Sequence, residues 1–194
     1  MNSLQHNGNL ILGNPIEEIN SKIIFKGKNG KVIFGANVSL NKARITVGDN
    51  GVVEIADNCQ IKGEIISNKN CCVSIGANTK FNGSPRIHAN ERSTISIGKG
   101  CLFANPRFRT SDSHSIISLN DNDRINPSAD IIIGDNVWIA EDVHVYKGCT
   151  IGEGSIIGAC SVVTKSIPRF CLAVGNPAMV KKENVTWREK LIPC

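Results

Sequence analysis

The chain has 194 residues, enough for one substantial domain, and carries 22 Lys and Arg against 17 Asp and Glu, a formal charge of +5. Such a bias suits an anionic substrate or cofactor, but aromatics are only 5% of the residues and the cations are scattered, which excludes the basic, aromatic-interleaved footprint of a nucleic-acid binder. No apolar run approaches the length of a membrane span.

The opening "MNSLQHNGNLILGNP" lacks the basic start and long apolar run of a secretion signal, so the expected compartment is the cytoplasm. His6 falls in this stretch and carries no chemistry. From Phe34 onward a loose repeat begins: "FGANVSL" at Phe34, "IADNCQI" at Ile55, "IGANTKF" at Ile75 and "IGKGCLF" at Ile97 each place two apolar residues six positions apart around a small or polar stretch. Their starts lie 21, 20 and 22 residues apart (34 to 55, 55 to 75, 75 to 97), so each turn of the repeat is expected to carry short insertions.

The chain has eight cysteines, and three of them, Cys59, Cys101 and Cys149, fall at the fifth place of a hexapeptide, where a small buried residue suits a stack. Cys71 and Cys72 are adjacent and have no CxxC partner, so the expectation is reduced core thiols and no metal. His88, in "SPRIHAN", reads as a turn residue that is structural or solvent-facing.

After "IGKGCLFANP" the periodicity stops, and it resumes at "ADIIIGDN". Residues 107–128, "RFRTSDSHSIISLNDNDRINPS", are polar and read as a loop thrown out of the stack, which is where function collects in a repeat protein because the coils are occupied with packing. His114 lies in this loop, and an imidazole titrates near neutrality and can accept a proton there. Asp112 is a candidate to orient its ring.

From Ile133 the period is strict. Ile133, Ile139, Val145, Ile151, Ile157 and Val163 recur every six residues, and four places after each stand Val137, Val143, Cys149, Ser155, Ser161 and Ile167. Neither helical spacing nor long strict alternation fits, whereas a chain that runs briefly as a strand, turns and repeats fits the hexapeptide β-helix. In that register Trp138 lies between inward Val137 and Ile139 and points outward, toward a ligand or a subunit surface. His144 is likewise outward. A short tail, about 168–194, closes the chain. The repeats leave no room for a second unit, so residues 1–194 form one domain.

Repeats, a looped-out histidine, an outward tryptophan and the closing "GNPAMVKK" together resemble the hexapeptide-repeat acyltransferases, and residues 131–182 read as their signature end to end. The resemblance implies an all-β, left-handed parallel β-helix assembled as a homotrimer, with acetyl-CoA in a groove between subunits. It implies His114 as general base and Trp138 lining the site beside the acyl group or acceptor. Ala140 and Ala159 would contact the pantetheine arm, while Thr164, Lys165, Met179 and Lys182 would lie toward the nucleotide.

Within the family, the loop, the Trp138 spacing and "NVTWREK" look most like the polysialic acid O-acetyltransferases of bacterial capsules, which implies an anionic polysaccharide acceptor. Arg107 and Arg109 could then pair with a sialic acid carboxylate or simply fix the loop, with Ser111, Asp112 and Ser113 as further acceptor contacts. Ala140 stands where many relatives have glycine. Two other readings stay open: an acetyltransferase for another bacterial surface sugar, and a non-catalytic β-helix that only binds.

Overall fold

A computed structural model describes residues 3–193; Met1, Asn2 and Cys194 lie outside the described residues. Strands dominate, with a single 3-10 turn at His6–Gly8 and no α-helix among the described residues. Among the described residues no helix is long and apolar enough to cross a membrane.

The strands form a parallel β-helix of three faces. On the first face Leu10–Leu12, Lys31–Phe34, Val52–Ile55, Cys72–Ile75, Thr94–Ile97, Ile131–Ile133 and Thr150–Ile151 stack in register. The second face includes Lys80–Asn82, Leu102–Ala104, Trp138–Ile139, Ile156–Ile157 and Cys171–Val174. The third includes Lys22–Phe25, Arg86–Ala89, Arg107–Arg109, His144–Tyr146 and Val162–Val163. Two longer strands, Ser39–Val47 and Gln60–Ser67, turn the corner and run along both the second and third faces.

The expected insertions are present in the early coils. Phe34 pairs with Ile55, Ile55 with Ile75 and Ile75 with Ile97, whereas after Ile131 the coil tightens to 18 residues (133 to 151, 138 to 156, 144 to 162). Extra residues sit at corners, as at Lys42 and Gly63, where φ is +52° and +77° and the register between the two long strands shifts. Other corners use asparagine in the same left-handed region, which this short polar side chain tolerates better than most. These asparagines then bond up the stack: Asn37 Nδ2 donates to Asn58 Oδ1 at 3.1 Å and Asn50 Nδ2 to Asn70 Oδ1 at 3.0 Å.

Inside the prism, every aliphatic residue of the strict register from Ile133 to Val163 is buried, as are Val137, Val143, Cys149, Ser155, Ser161 and Ile167. Phe81, Phe103 and Phe108 form an aromatic core segment, with ring centroids 5.4 Å apart for the first two and 5.5 Å for the last two. Cys59, Cys71, Cys101, Cys149 and Cys171 are buried and free, and burial pushes the Cys101 thiol up to about 12. Cys72 is half-buried and Cys160 exposed.

Three boundaries differ from those the sequence suggests. Arg107–Arg109 is a strand of the third face, paired below with Arg86–Ala89 and above with His144–Tyr146, so the excursion starts only after Thr110. Phe108 is the inward residue of this strand, and Arg-Phe-Arg is too short for a six-residue period to reveal it. His88 belongs to the strand Arg86–Ala89 and not to an irregular turn. In the tail, Cys171–Val174 continues the second face before the chain reverses as Met179–Glu183, antiparallel to it.

Candidate functional site

The excursion leaves the third face after Thr110 and rejoins the first face at Ile131, so it hangs on the edge between those two faces. Its order comes from polar contacts. Asn126 is buried at its base; its Nδ2 donates to Asp112 Oδ2 and to the His114 carbonyl, both at 2.8 Å, while its Oδ1 accepts from Ile116 N at 2.7 Å and Arg124 Nε at 3.1 Å. One amide side chain thus fixes four points of the loop.

The coils on either side supply the anchors. Glu91, at the corner below, binds Arg124 at 2.8 Å and accepts from Ser111 Oγ, and its carbonyl accepts from Ser128 Oγ at 2.8 Å. Lys147, from the corner above, donates to Asp112 Oδ2 at 2.6 Å and to the Asn126 carbonyl at 3.2 Å. The hydrogen bonds from Arg124 and Ser111 hold Glu91 below its usual carboxylate range, and those from Lys147 and Asn126 do the same for Asp112. Both anchors are therefore ionised at neutral pH.

The loop delivers His114 to solvent with its main chain fixed and its imidazole without a hydrogen-bond partner among the described residues. The expectation that Asp112 orients the ring is corrected here: Asp112 Oδ2 is taken by Lys147 and Asn126, so Asp112 holds the loop instead. Ser111 is buried and tied to Glu91; its Oγ also accepts from the Ser113 N–H at 3.0 Å, which leaves little of it for an acceptor. Ser113 Oγ accepts from Arg109 Nη2 at 3.1 Å, joining loop to third face.

Arg107 and Arg109 point outward on that face and line a shallow cavity of about 210 Å³ together with Arg86 and His88, and a neighbouring one of about 60 Å³ with His144 and Tyr146. Arg86 carries no signal in the sequence because it opens a strand with no strict period.

Trp138 lies on the second face and is 36% exposed, outward as expected. The tail covers part of it: the Trp187 ring is 6.0 Å away, and Trp187 Nε1 donates to the Asn136 carbonyl at 2.7 Å. Glu189 then clamps the tail to Lys80 Nζ at 2.8 Å. Trp187 has no periodic signal, only its place in "NVTWREK".

Ala140 and Ala159 lie at the corner that follows the second face in successive coils, Ala159 one residue beyond the position directly above Ala140. Ala140 donates its N–H to the Ile157 carbonyl at 2.9 Å, so only its C=O is left to face a ligand. Thr164 and Lys165 are exposed after the strand Val162–Val163, and Met179 and Lys182 are exposed on the closing strand, where Met179 pairs with Val174 and Lys182 with Leu172. These residues climb toward the last coil, whereas His114 hangs from a different edge of the prism. Among the described residues no hydrogen bond or ring contact links His114 to Trp138.

Against known proteins, the chain is 35% identical over 169 residues to the polysialic acid O-acetyltransferase of Neisseria meningitidis, covering 85% of this chain and 78% of that protein. The chain belongs to the hexapeptide-repeat acetyltransferases. Within that family it is also 35% identical over 136 residues to the polysialic acid O-acetyltransferase of Escherichia coli O1:K1 / APEC, which covers 70% of this chain but 44% of the relative's length. The family profile described as bacterial transferase hexapeptide (six repeats) matches residues 130–165, the strictly periodic segment.

Among solved structures of hexapeptide-repeat acetyltransferases, the fold matches the polySia-specific acetyltransferase NeuO with a TM-score of 0.88 at 35% identity, covering 94% of this chain and 79% of that one. It matches the polysialic acid O-acetyltransferase OatWY with a TM-score of 0.80 at 31% identity, covering 91% and 88% of the two chains.

Proposed function

We propose that the protein transfers acetyl from acetyl-CoA to a hydroxyl of sialic acid in a bacterial capsular polysaccharide. The observation that carries this reading is the similarity, along 85% of the chain, to a polysialic acid O-acetyltransferase. An anchored loop that presents an exposed imidazole, and an arginine-lined surface adjoining it, are what such a reaction would use.

In this reading His114 is the general base. It takes the proton of the acceptor hydroxyl as that oxygen attacks the thioester carbonyl; the C–S bond then breaks, the new ester leaves on the sugar, and the proton passes to the departing CoA thiolate. A positioned base of this kind accelerates the step by roughly 10²–10⁴-fold. The oxyanion takes its donors from backbone N–H groups. Trp138 forms a flat wall beside the acyl group or the acceptor. The Ala140 carbonyl and Ala159 would meet the pantetheine arm, with Thr164, Lys165, Met179 and Lys182 toward the nucleotide, and Arg107 and Arg109 would bind the acceptor carboxylate. No step calls for a metal.

Because His114 hangs on one edge and Trp138 and the donor residues lie along another face, the complete site would form between neighbouring copies, in keeping with a homotrimer. With acetyl-CoA as donor, the reaction would run in the cytoplasm.

The test is acetyl transfer from acetyl-CoA to a polysialic acid oligomer, followed by mass, with a neutral oligosaccharide in parallel. A gain of one acetyl mass on the sialic oligomer alone supports donor and acceptor together. Transfer to the neutral sugar alone would keep the chemistry and discard the acceptor.

A further inference from the structure

Arg86, Arg107 and Arg109 occupy adjoining positions on the third face. Arg86 pairs in register with Arg107, and His88 with Arg109, so the side chains at Arg86 and Arg107 start about 5 Å apart on neighbouring strands. Like charges set directly opposite each other are destabilising, whereas an opposite charge among them would stabilise the pair. Here none pairs with the three arginines among the described residues. Glu64, which faces Arg86 in register, directs Oε2 to His88 Nε2 at 2.9 Å and Oε1 toward Arg44 at 3.7 Å. Among the described residues Arg109 bonds only the neutral Ser113 hydroxyl.

The surroundings register this surplus of positive charge. Burial pushes the His88 imidazole down, Arg109 and Arg86 add to that, and the bond from Glu64 does not reverse it. Neutral His88 therefore contributes shape and no charge. The two cavities share Arg107 and Arg109 and adjoin along them, so that this shallow trough reaches from Arg86 up to His144 and Tyr146, whose rings lie 6.2 Å apart and nearly edge to face. Over three strands the trough is about 10 Å long.

We infer that this trough is an extended acceptor subsite in which Arg86, Arg107 and Arg109 together bind carboxylates of successive units of one polyanionic sugar chain, next to the loop that carries His114. A guanidinium fork matches the planar carboxylate, and three forks, two opposite each other on neighbouring strands and one two residues further along, match a polymer with one carboxylate per unit better than a single sugar. Arg86, whose guanidinium no other side chain engages among the described residues, is the residue that makes the site polymer-selective. The identity of the polymer as polysialic acid rests on the proposed function; the polyanion selectivity of the trough does not.

The experiment measures binding without turnover: full-length protein and polysialic acid, no acetyl-CoA, at two salt concentrations, for the wild type, Arg86→Ala, Arg86→Lys and Lys28→Ala, with sedimentation of each variant. Lys28 is an exposed cation at the far end of the prism and controls for net charge. The expected result is a loss of about ten-fold or more in affinity for Arg86→Ala, partial recovery in Arg86→Lys and wild-type binding in Lys28→Ala. In transfer assays Arg86→Ala would raise KM for a long polymer more than for a dimer, with KM for acetyl-CoA unchanged. Equal weakening in Lys28→Ala and Arg86→Ala, unchanged binding in Arg86→Ala, or a change of oligomeric state in Arg86→Ala would each overturn the subsite. Polyanion binding through Arg86 in a protein that acetylates only a neutral sugar would keep a polyanion site at Arg86 but overturn its role as an acceptor subsite.

Discussion

The coils and the excursion between Thr110 and Ile131 are ordered by opposite means. In the coils, backbone ladders close each strand on the next and a column of aliphatic side chains fills the interior, so any one residue is supported by equivalent neighbours above and below. In the excursion few apolar groups are buried, and order depends on Asn126, Glu91 and Lys147, each making several bonds that nothing duplicates. The scaffold is thus redundant and stiff, while the segment that carries His114 is specified by a handful of polar atoms.

That contrast is broken most severely from the inside. Phe103→Ala removes the middle ring of the aromatic core segment and should cost about 3–5 kcal/mol of stability, read from denaturant unfolding, with the loop detaching only as the coils melt. Asn126→Ala should act the other way round. It leaves the Ile116 N–H without its acceptor and frees Asp112 and the His114 carbonyl, so the loop should lose about 1–3 kcal/mol of local order while the unfolding of the coils hardly moves. Faster exchange of the Ile116 and Ile125 amides, with unchanged exchange for Val145, would establish the separation.

The same separation governs how much is legible in the amino-acid sequence alone. The register from Ile133 to Val163 is legible because one inward aliphatic every six residues is repeated without interruption, and Trp138 and His144 fall outward from that register alone. Arg107–Arg109 reads as part of the loop because one inward Phe108 is too little to extend a period. Asn126, Glu91 and Lys147 give no signal, since Glu91 reaches Arg124 across 33 residues (91 to 124) and Lys147 reaches Asn126 across 21 (126 to 147), through side-chain bonds that no periodicity records. Asp112 draws notice for its closeness to His114 in sequence, yet its carboxylate reaches the next coil instead.

Acid should dissect the two regions further. Glu91 and Asp112 have folded-state values below their unfolded ones, so the order they lend the loop is present at neutral pH and is lost as the pH falls through those lowered values, below the ordinary carboxylate range of about 4. Loop amides should begin to exchange faster in that acid window, while ladder amides of the coils remain protected. Loop and coil amides losing protection together would contradict independent ordering.

The smallest effect is expected at the tail. Lys80→Ala removes an exposed ion pair with Glu189 and should change stability by at most about 1 kcal/mol. Its informative readout is optical: release of the tail should move Trp187 away from Trp138 and alter tryptophan emission without altering the unfolding midpoint.

If the coils pack while the loop's imidazole does the chemistry, His114→Ala separates the two, with initial acetyl-transfer rate and thermal midpoint measured on the same preparation. His114 is exposed and its ring bonds nothing among the described residues, so the expected result is a rate lower by roughly 10²–10⁴-fold at an unchanged midpoint. A variant that keeps the wild-type rate would contradict it.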